Sequence, residues 1–363
     1  MATDPRPEAL AAGGSGDVSP AAPGEASGEH GPWYLAYRRF LRNRLAVAFL
    51  GLFVLIVLFV LAAPLWADNV AQTGPNATHT LQKLQVGGET REVVTPEGKP
   101  IGPQWFEADG KFFLGADSRL GRDEMVRLMY GGRTSLFIGI VSGLITTIVA
   151  VVLGLLAGYY KGWVDAVIAR TLDVLWSLPV LLFGIALGVS LAVGGLKIGP
   201  LELSGGSIWI PIFVISVFTV PYVARPIRGE VLALGEKEFV EAAIAQGAGS
   251  LRVMFSEILP NLASTIIVFF ALNIANNMLF EAALSFLGAG VQPPNSSWGT
   301  MISIGEELLN TQPLLAIIPG VMILLTVLSL NIVGDGLRDA LDPRAKVRLE
   351  AHAGMVEPEG ASI

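Results

Sequence analysis

Four polar side chains recur at every fourth position of one apolar stretch: Asn273, Asn277, Glu281 and Ser285. In a helix this spacing puts them on one face, with Asn276 beside them. Hydrocarbon cannot solvate such a stripe, and an ionisable group inside a long apolar run normally faces a bundle interior or a water-filled path. Two roles fit: lining a translocation path, or hydrogen bonding between helices at about 0.6 kcal/mol per bond. Asp173 and Ser177 repeat the i, i+4 spacing in a second apolar run. Asp173 lies near the end of that run, where bonding between helices is the expected role.

A second constellation lies between two apolar runs. Glu241, Ala242, Ala243 and Ala245 precede Gly247, and the segment closes on Leu259, Pro260 and Asn261. Alanines let a backbone come close to a partner, Glu241 offers a fixed charge, and Gly247 permits the positive φ that ends one helix and starts another at an angle. Leu251, Met254, Phe255 and Ile258 then recur at helical spacing, as an apolar face toward partner or membrane. Pro260 suits the first turn of the next span, where its missing N–H costs nothing. The segment is either a docking surface or an amphipathic connector. Glu281-Ala282-Ala283 repeats the tripeptide inside an apolar run but lacks the six-position step to glycine.

Enzymatic constellations are missing. Cysteine is absent, and the three histidines, His30, His79 and His352, lie outside the apolar runs, which argues against metal chemistry. There is no paired Asp, Ser/Lys or His-Glu-x-x-His set within a run, as an intramembrane protease would need, and no Gly-x-x-x-x-Gly-Lys-Ser/Thr phosphate loop. An ATP-driven motor would have to come from another subunit. The net charge of -7 is spread over loops and tails and points to no nucleic acid.

The elements that position these residues are membrane spans. The 363 residues are 52% hydrophobic and only 15% charged, with mean hydropathy +0.59, against roughly 25% charged in soluble domains. Six stretches suffice to cross roughly 30 Å of hydrocarbon at about 20 residues each: 45–66, 134–159, 167–193, 207–225, 261–288 and 313–334. Small-xxx-small pairs at Gly139/Gly143 and Gly154/Gly158 allow close helix approach, within the subunit or against a partner.

Lysine and arginine set the expected orientation. They flank the first span (Arg38, Arg39, Arg42, Arg44), follow the fourth (Arg225, Arg228, Lys237, Arg252) and follow the sixth (Arg338, Arg344, Lys346, Arg348), whereas 289–312 has none. Both termini and the 226–260 loop are therefore expected to be cytoplasmic. Residues 1–32 read as a disordered tail, 33–66 as an interfacial helix and first span, 67–133 as an extracytoplasmic loop, 134–336 as the core, and 337–363 as a second tail. Within 67–133, Arg119, Arg122, Arg127 and Arg133 run against the orientation rule, and Asp117, Asp123 and Glu124 are the expected local partners. Val93-Val94 and Phe112-Phe113 are expected as short strands there. Trp298 is expected to anchor an interfacial or re-entrant helix, and Asp335, Arg338 and Asp339 to pair at the end of the last span.

Residues 241–261 resemble the EAA loop of ABC importer permeases, a pair of short cytoplasmic helices that docks on the ATP-hydrolysing subunit. The resemblance covers about residues 33–346. It is carried also by Leu114–Asp123 with Tyr130–Arg133, Gly158–Asp165, Phe286–Pro294 with Ser297-Trp298-Gly299, and Asn331–Arg344. These stretches are similar to the second permease subunit of dipeptide and oligopeptide importers, relatives of the nickel and glutathione importers. The family often has basic residues where this chain has Ile244 and Ser256, and His or an aliphatic residue at Glu257.

The resemblance implies an all-α polytopic fold of the type I ABC importer permease architecture with about six transmembrane helices. It implies a prokaryotic plasma (inner) membrane location and a coupling loop at 236–260, with Glu241, Ala242, Ala243, Gly247, Leu259 and Pro260 as ATPase-coupling residues. The implied partners are a second, homologous permease completing a heterodimeric pore, one or two ATP-binding subunits and an extracytoplasmic substrate-binding protein. No cofactor is expected on this chain, ATP and Mg being held by the ATPases. The implied cargo is di- or oligopeptide, with nickel chelates, glutathione or oligosaccharides as alternatives. An ion-coupled secondary transporter would instead show internal repeats and no motor-docking loop.

Overall fold

The computed structural model describes residues 32–341, apart from 87–88, 106, 199–200 and 204–205. The expected N-terminal tail up to residue 31 and the C-terminal residues from 342, with Arg344, Lys346 and Arg348, lie outside the described residues.

A short amphipathic helix α1 (Pro32–Arg42) leads into α2 (Arg44–Leu61). Asn43 separates them, its side chain accepting the Ala46 N–H at 3.1 Å as the cap of α2. A single turn α3 (Ala63–Trp66) and a π turn (Ala67–Ala71) follow, stopped by Gln72 in the left-handed region. The chain then forms a hairpin of β1 (Lys83–Val86) and β2 (Glu89–Glu92), with Lys83 opposite Glu92.

The remaining helices are α4 (Glu124–Tyr160), α5 (Gly162–Ser177), α6 (Val180–Gly194), α7 (Trp209–Leu234), α8 (Glu238–Ala245), α9 (Ser250–Arg252), α10 (Leu259–Phe286), α11 (Trp298–Glu306) and α12 (Leu314–Leu341). Strands β3 (Leu196–Ile198) and β4 (Leu201–Leu203) form a second small hairpin before α7. Among the described residues five helices are long and apolar enough to cross a membrane, or six if the bent pair α5–α6 is one span. Helix α10 packs on α4, α7, α11 and α12, and α4 runs along α7.

The expected spans are corrected in three places. The second begins at Glu124 rather than 134, because Asp123 caps it by accepting the Val126 N–H at 3.0 Å. The third is broken: α5 and α6 meet at 86°. Leu178 is extended before Pro179, as the proline ring requires of its predecessor. The fourth continues to Leu234, carrying Arg225 and Arg228 inside the helix.

Phe40 packs with Val333 and Ala340, and Glu230, Asn261, Arg338 and Leu341 line one cleft. Helix α1, the last turns of α7 and α12, and the first turn of α10 therefore share one end of the bundle with α8 and α9. The 72–123 and 287–313 connections share the other end, joined by Arg119 to Glu307 at 2.6 Å and by Gln312 donating to the Pro100 carbonyl. Of the carboxylates expected to balance the arginines here, Asp117 does so, accepting from Arg122 Nε at 2.5 Å. Asp123 instead takes the Phe112 N–H at 2.7 Å, while its burial pushes its carboxyl above the usual range.

The expected strands at Val93-Val94 and Phe112-Phe113 are not formed. Val94 makes an isolated bridge to Pro100, and Phe112 has φ +51°, incompatible with a strand. Val93, Val94 and Phe112 instead fill a small core with Leu84, Val86 and Ile101, while Phe113 packs edge-on against Trp66 and Trp105. Asp335, Arg338 and Asp339 form no ion pair with one another among the described residues.

Candidate functional site

Helix α8 is short and two-sided. Val240 is buried, whereas Glu241, Ala242, Ala245 and Gln246 are exposed and Ala243 is half-buried. Its end is a Schellman motif: Ala248 N–H reaches the Ala243 carbonyl at 3.0 Å, Gly247 N–H reaches Ile244 at 2.9 Å, and Gly247 takes φ +83°. That turn directs the chain into α9 and a π turn (Val253–Ile258) that runs without interruption into α10. Pro260 therefore sits near the start of α10 but continues a helix rather than opening one. The wider π turn just before it gives the ring room where a regular helix would meet the carbonyl four residues back.

The expected apolar face of this segment divides. Met254 and Ile258 turn inward with Val253, Ile258 and Val253 joining Val240, Val223, Ile227, Val231 and Leu155 in one buried cluster. Leu251 and Phe255 are 67% and 58% exposed. Residues 238–258 are thus fastened to α4, α7 and α10 through one side and leave Glu241, Ala242 and Gln246 exposed, while Leu251 and Phe255 line an apolar groove with α4 and α10. The Glu241 side chain makes no hydrogen bond or ion pair among the described residues.

Helix α7, which leads into α8, is held closely by its neighbours. A Cβ on Gly154 would lie 2.6 Å from Ile227 Cγ2, and one on Gly158 would lie 2.6 Å from Val231 Cβ. Both glycine pairs of α4 serve packing within the chain, since Gly143 meets Ile274 and Gly139 meets Met278 on α10. Arg228 grips Asp165 of α5 through two bonds of 2.5 and 2.7 Å. Arg225 binds Asp173 at 2.6 Å and stacks 4.4 Å over Trp176. Asp173 has the expected role between helices, while Ser177 bonds its own helix at Val174.

The stripe on α10 faces α4. Asn273, Asn277, Glu281 and Ser285 are all buried. Asn277 Nδ2 donates to Ser142 Oγ at 2.9 Å. Glu281 accepts from Ser135 Oγ at 2.8 Å on one oxygen and from Ser285 Oγ at 2.7 Å on the other. Each hydroxyl is itself fixed from behind: Trp298 N donates to Ser135 Oγ at 3.2 Å, and Val291 N donates to Ser285 Oγ at 3.0 Å. With a backbone N–H filling each serine oxygen, both O–H groups are directed at the carboxylate. Asn273 Nδ2 and Asn277 Oδ1 have no partner among the described residues.

Ser135 and Ser142 were not evident as site residues from the sequence. Their signal was a small-residue stripe, Ser135-Gly139-Ser142-Gly143, at helical spacing on α4. The Phe286–Gly299 stretch closes over Glu281. Gly299 lies where a Cβ would come 2.5 Å from the Ala282 carbonyl, and Gly290 presses on Ser285. Trp298 is fully buried, packed on Gly132 and Val60 with Nε1 bonded to the Leu128 carbonyl at 2.9 Å. It anchors the short helix α11 from within the core of this contact, not from a membrane–water interface.

Comparison with known proteins follows the same outline. Residues 150–347 match the binding-protein-dependent transport system inner membrane component. Residues 31–83 match the N-terminal transmembrane domain of oligopeptide transport permease C. The chain is 37% identical over 315 residues to a glutathione transport system permease protein of Pectobacterium atrosepticum, covering 87% of this chain and 92% of that one. It is 34% identical to a dipeptide transport system permease protein of Alkalihalophilus pseudofirmus, covering 87% and 91%. It is also 34% identical to an oligopeptide transport system permease protein of Haemophilus influenzae, covering 86% and 88%. A solved methionine ABC transporter in inward-facing form overlaps 60% of this chain and 97% of its own, at TM-score 0.49 and 16% identity. The chain belongs to the inner-membrane permeases of binding-protein-dependent ABC importers, as a multi-pass transport component of the oligopeptide permease C type.

Proposed function

We propose that this chain forms one half of a heterodimeric pore that imports di- or oligopeptides, with both termini and the 236–260 loop cytoplasmic. A second permease completes the pore, an extracytoplasmic binding protein delivers cargo, and one or two separate ATPases bind ATP and Mg. The names of the relatives, dipeptide, oligopeptide and glutathione permeases, support a cargo with a peptide backbone. Nickel chelates and oligosaccharides find no support among them.

The observation that carries the coupling role is the two-sided build of residues 238–258. Val240, Val253 and Ile258 lock the segment into the core, while Glu241, Ala242 and Gln246 are free on its outer face. Gly247 sets the angle between its halves, and Leu259 and Pro260 join it to α10. ATP-driven closure of the motor would then displace α7 and α10 together.

The stripe Asn273, Asn277, Glu281 and Ser285 is proposed to border the translocation path, reached when α10 separates from α4. Co-purification of the ATPase and ATP-driven uptake of a labelled dipeptide in proteoliposomes test the coupling face. Glu241→Lys and Ala242→Trp should insert normally and lose ATPase binding or coupled uptake. If both bind the ATPase and transport at the wild-type rate, residues 238–258 are a connector and the assignment fails.

A further inference from the structure

A cleft of about 390 Å³ opens where α7, α10 and α12 end beside the coupling segment. Its walls carry Glu230 from α7, Asn261, Ser264 and Thr265 from α10, and Arg338 from α12. Its volume is within the range of roughly 300–1,000 Å³ typical of small-molecule sites. Unlike the two apolar grooves on the same chain, lined by α4 with α10 and by α4 with α7, it holds one carboxylate and one guanidinium with hydroxyl and amide groups between them.

The two charges are not used on each other. Thr265 Oγ1 donates to Glu230 Oε1 at 3.0 Å and orients that carboxylate. Among the described residues Glu230 has no cationic partner and Arg338 has no anionic one. Three other charges of α7 and its neighbours at this end are satisfied within the chain, Arg228 by Asp165, Arg225 by Asp173 and Lys161 by Glu236, whereas both charges of the cleft stay available to a ligand.

We infer that this cleft binds a short zwitterion bearing a free α-ammonium and a free α-carboxylate, that is, an imported peptide or amino acid on the cytoplasmic side. The ammonium meets Glu230 and the carboxylate meets Arg338, which can take it through two parallel N–H bonds. Arg338 disfavours a metal cation and Glu230 disfavours a lone anion such as phosphate; a ligand with both charges satisfies both. A dipeptide is about 7 Å long when extended, a scale suited to bridging two helix ends. Because the occupant would tie α7 to α12, it would favour the state in which the cleft stands open. Ligand on the inside would thereby slow the transport cycle. The inference rests on the peptide-import reading and the orientation proposed above.

The test uses the whole complex, permease pair and ATPases, without the binding protein. Equilibrium binding of radiolabelled alanyl-alanine is compared for wild type, Arg338→Gln and Glu230→Gln, and for competition by N-acetyl-alanyl-alanine amide, which lacks both charges. Expected are saturable binding to wild type, at least tenfold weaker binding to each variant, and at least tenfold weaker competition by the blocked peptide. Absence of saturable binding to wild type at millimolar peptide overturns the inference, as does equal binding by all three proteins. Uptake of the same dipeptide with the binding protein present and an empty lumen is scored separately. Its absence overturns the peptide reading, whereas normal uptake with no binding in the cleft overturns only the site.

Discussion

Removing one hydroxyl should expose how Glu281 is held. Ser135 stands between Trp298 N–H and a Glu281 oxygen, at 3.2 and 2.8 Å. Ser135→Ala deletes both bonds and leaves a buried N–H and half a carboxylate without partners, in a site where Ser135 and Glu281 are both fully buried. Each orphaned group costs about 1–3 kcal/mol, so the substitution should destabilise by about 2–6 kcal/mol. In a Glu281→Ala background the hydroxyl has already lost its acceptor, and the same change should cost only the Trp298 N–H, about 1–2 kcal/mol.

The double-mutant cycle should thus give a coupling of about 1–3 kcal/mol, the cost of the one orphaned carboxyl oxygen. Ordinary hydrogen bonds between membrane helices average about 0.6 kcal/mol. Reversible unfolding in mixed micelles, followed by tryptophan fluorescence, measures it directly, since Trp298 reports on this contact. Additivity within about 0.3 kcal/mol would refute the bonding of Ser135 to Glu281 and with it the account of the Phe286–Gly299 stretch as a cover for the carboxylate.

Substitutions at three other positions separate the remaining contacts. Gly158→Leu places a side chain against Val231 Cβ and the Arg228 carbonyl, and should cost about 1–3 kcal/mol by overpacking, read as a lower thermal midpoint of the purified complex. At Gly247, with φ +83° and open space around it, asparagine should retain ATPase co-purification, whereas the β-branched Gly247→Val should lose it through a strained turn. Arg228→Gln breaks the bond to Asp165, but the side chains are 32% and 21% exposed. The loss should stay near or below about 1 kcal/mol in the same thermal assay, and a larger one would mean that the pair is effectively buried.

Much of this architecture is legible in the sequence because a membrane span declares itself by length and apolarity, and the first, fifth and sixth spans fall close to α2, α10 and α12. Averaged apolarity is blind to where a backbone bends, so the break at Pro179 was hidden inside a continuous run. It is equally blind to a buried arginine: Arg127, 1% exposed, donates to the Pro75 carbonyl and lies within α4, where its charge argued for a loop. The exposed half of α8 was readable from alanine and glycine spacing. The partners of Glu281 were not, because Ser135 and Ser142 are 146 and 135 positions away from Glu281 and Asn277, and no local pattern specifies which helix face a serine will meet. The choice between an interfacial and a core anchor at Trp298 was hidden for a similar reason: an aromatic near a span end has two common fates, and only its cavity beside Gly132 decides between them.

The two candidate sites lie on one piece of helix, and this constrains how they can work together. Ser250–Phe286 runs 37 residues, about 55 Å at the α-helical rise. One end carries Val253 and Ile258 inside the cluster that also holds Val240 of α8, and the far end carries Glu281 against α4. A displacement of the near end that leaves this helix intact must shift its far end relative to α4 or move α4 with it. Glycines at 139 and 143 bring the α4–α10 seam to close range, against Met278 and Ile274, so the seam has no slack to absorb a shift. In the present arrangement Asn273, Asn277, Glu281 and Ser285 are sealed in that seam, and water can reach them only if it parts. On the proposed reading, bonding between helices and bordering a path would be two states of one polar face rather than competing roles. The serine hydroxyls that hold Glu281 in the closed state would have to be replaced by water in the open one.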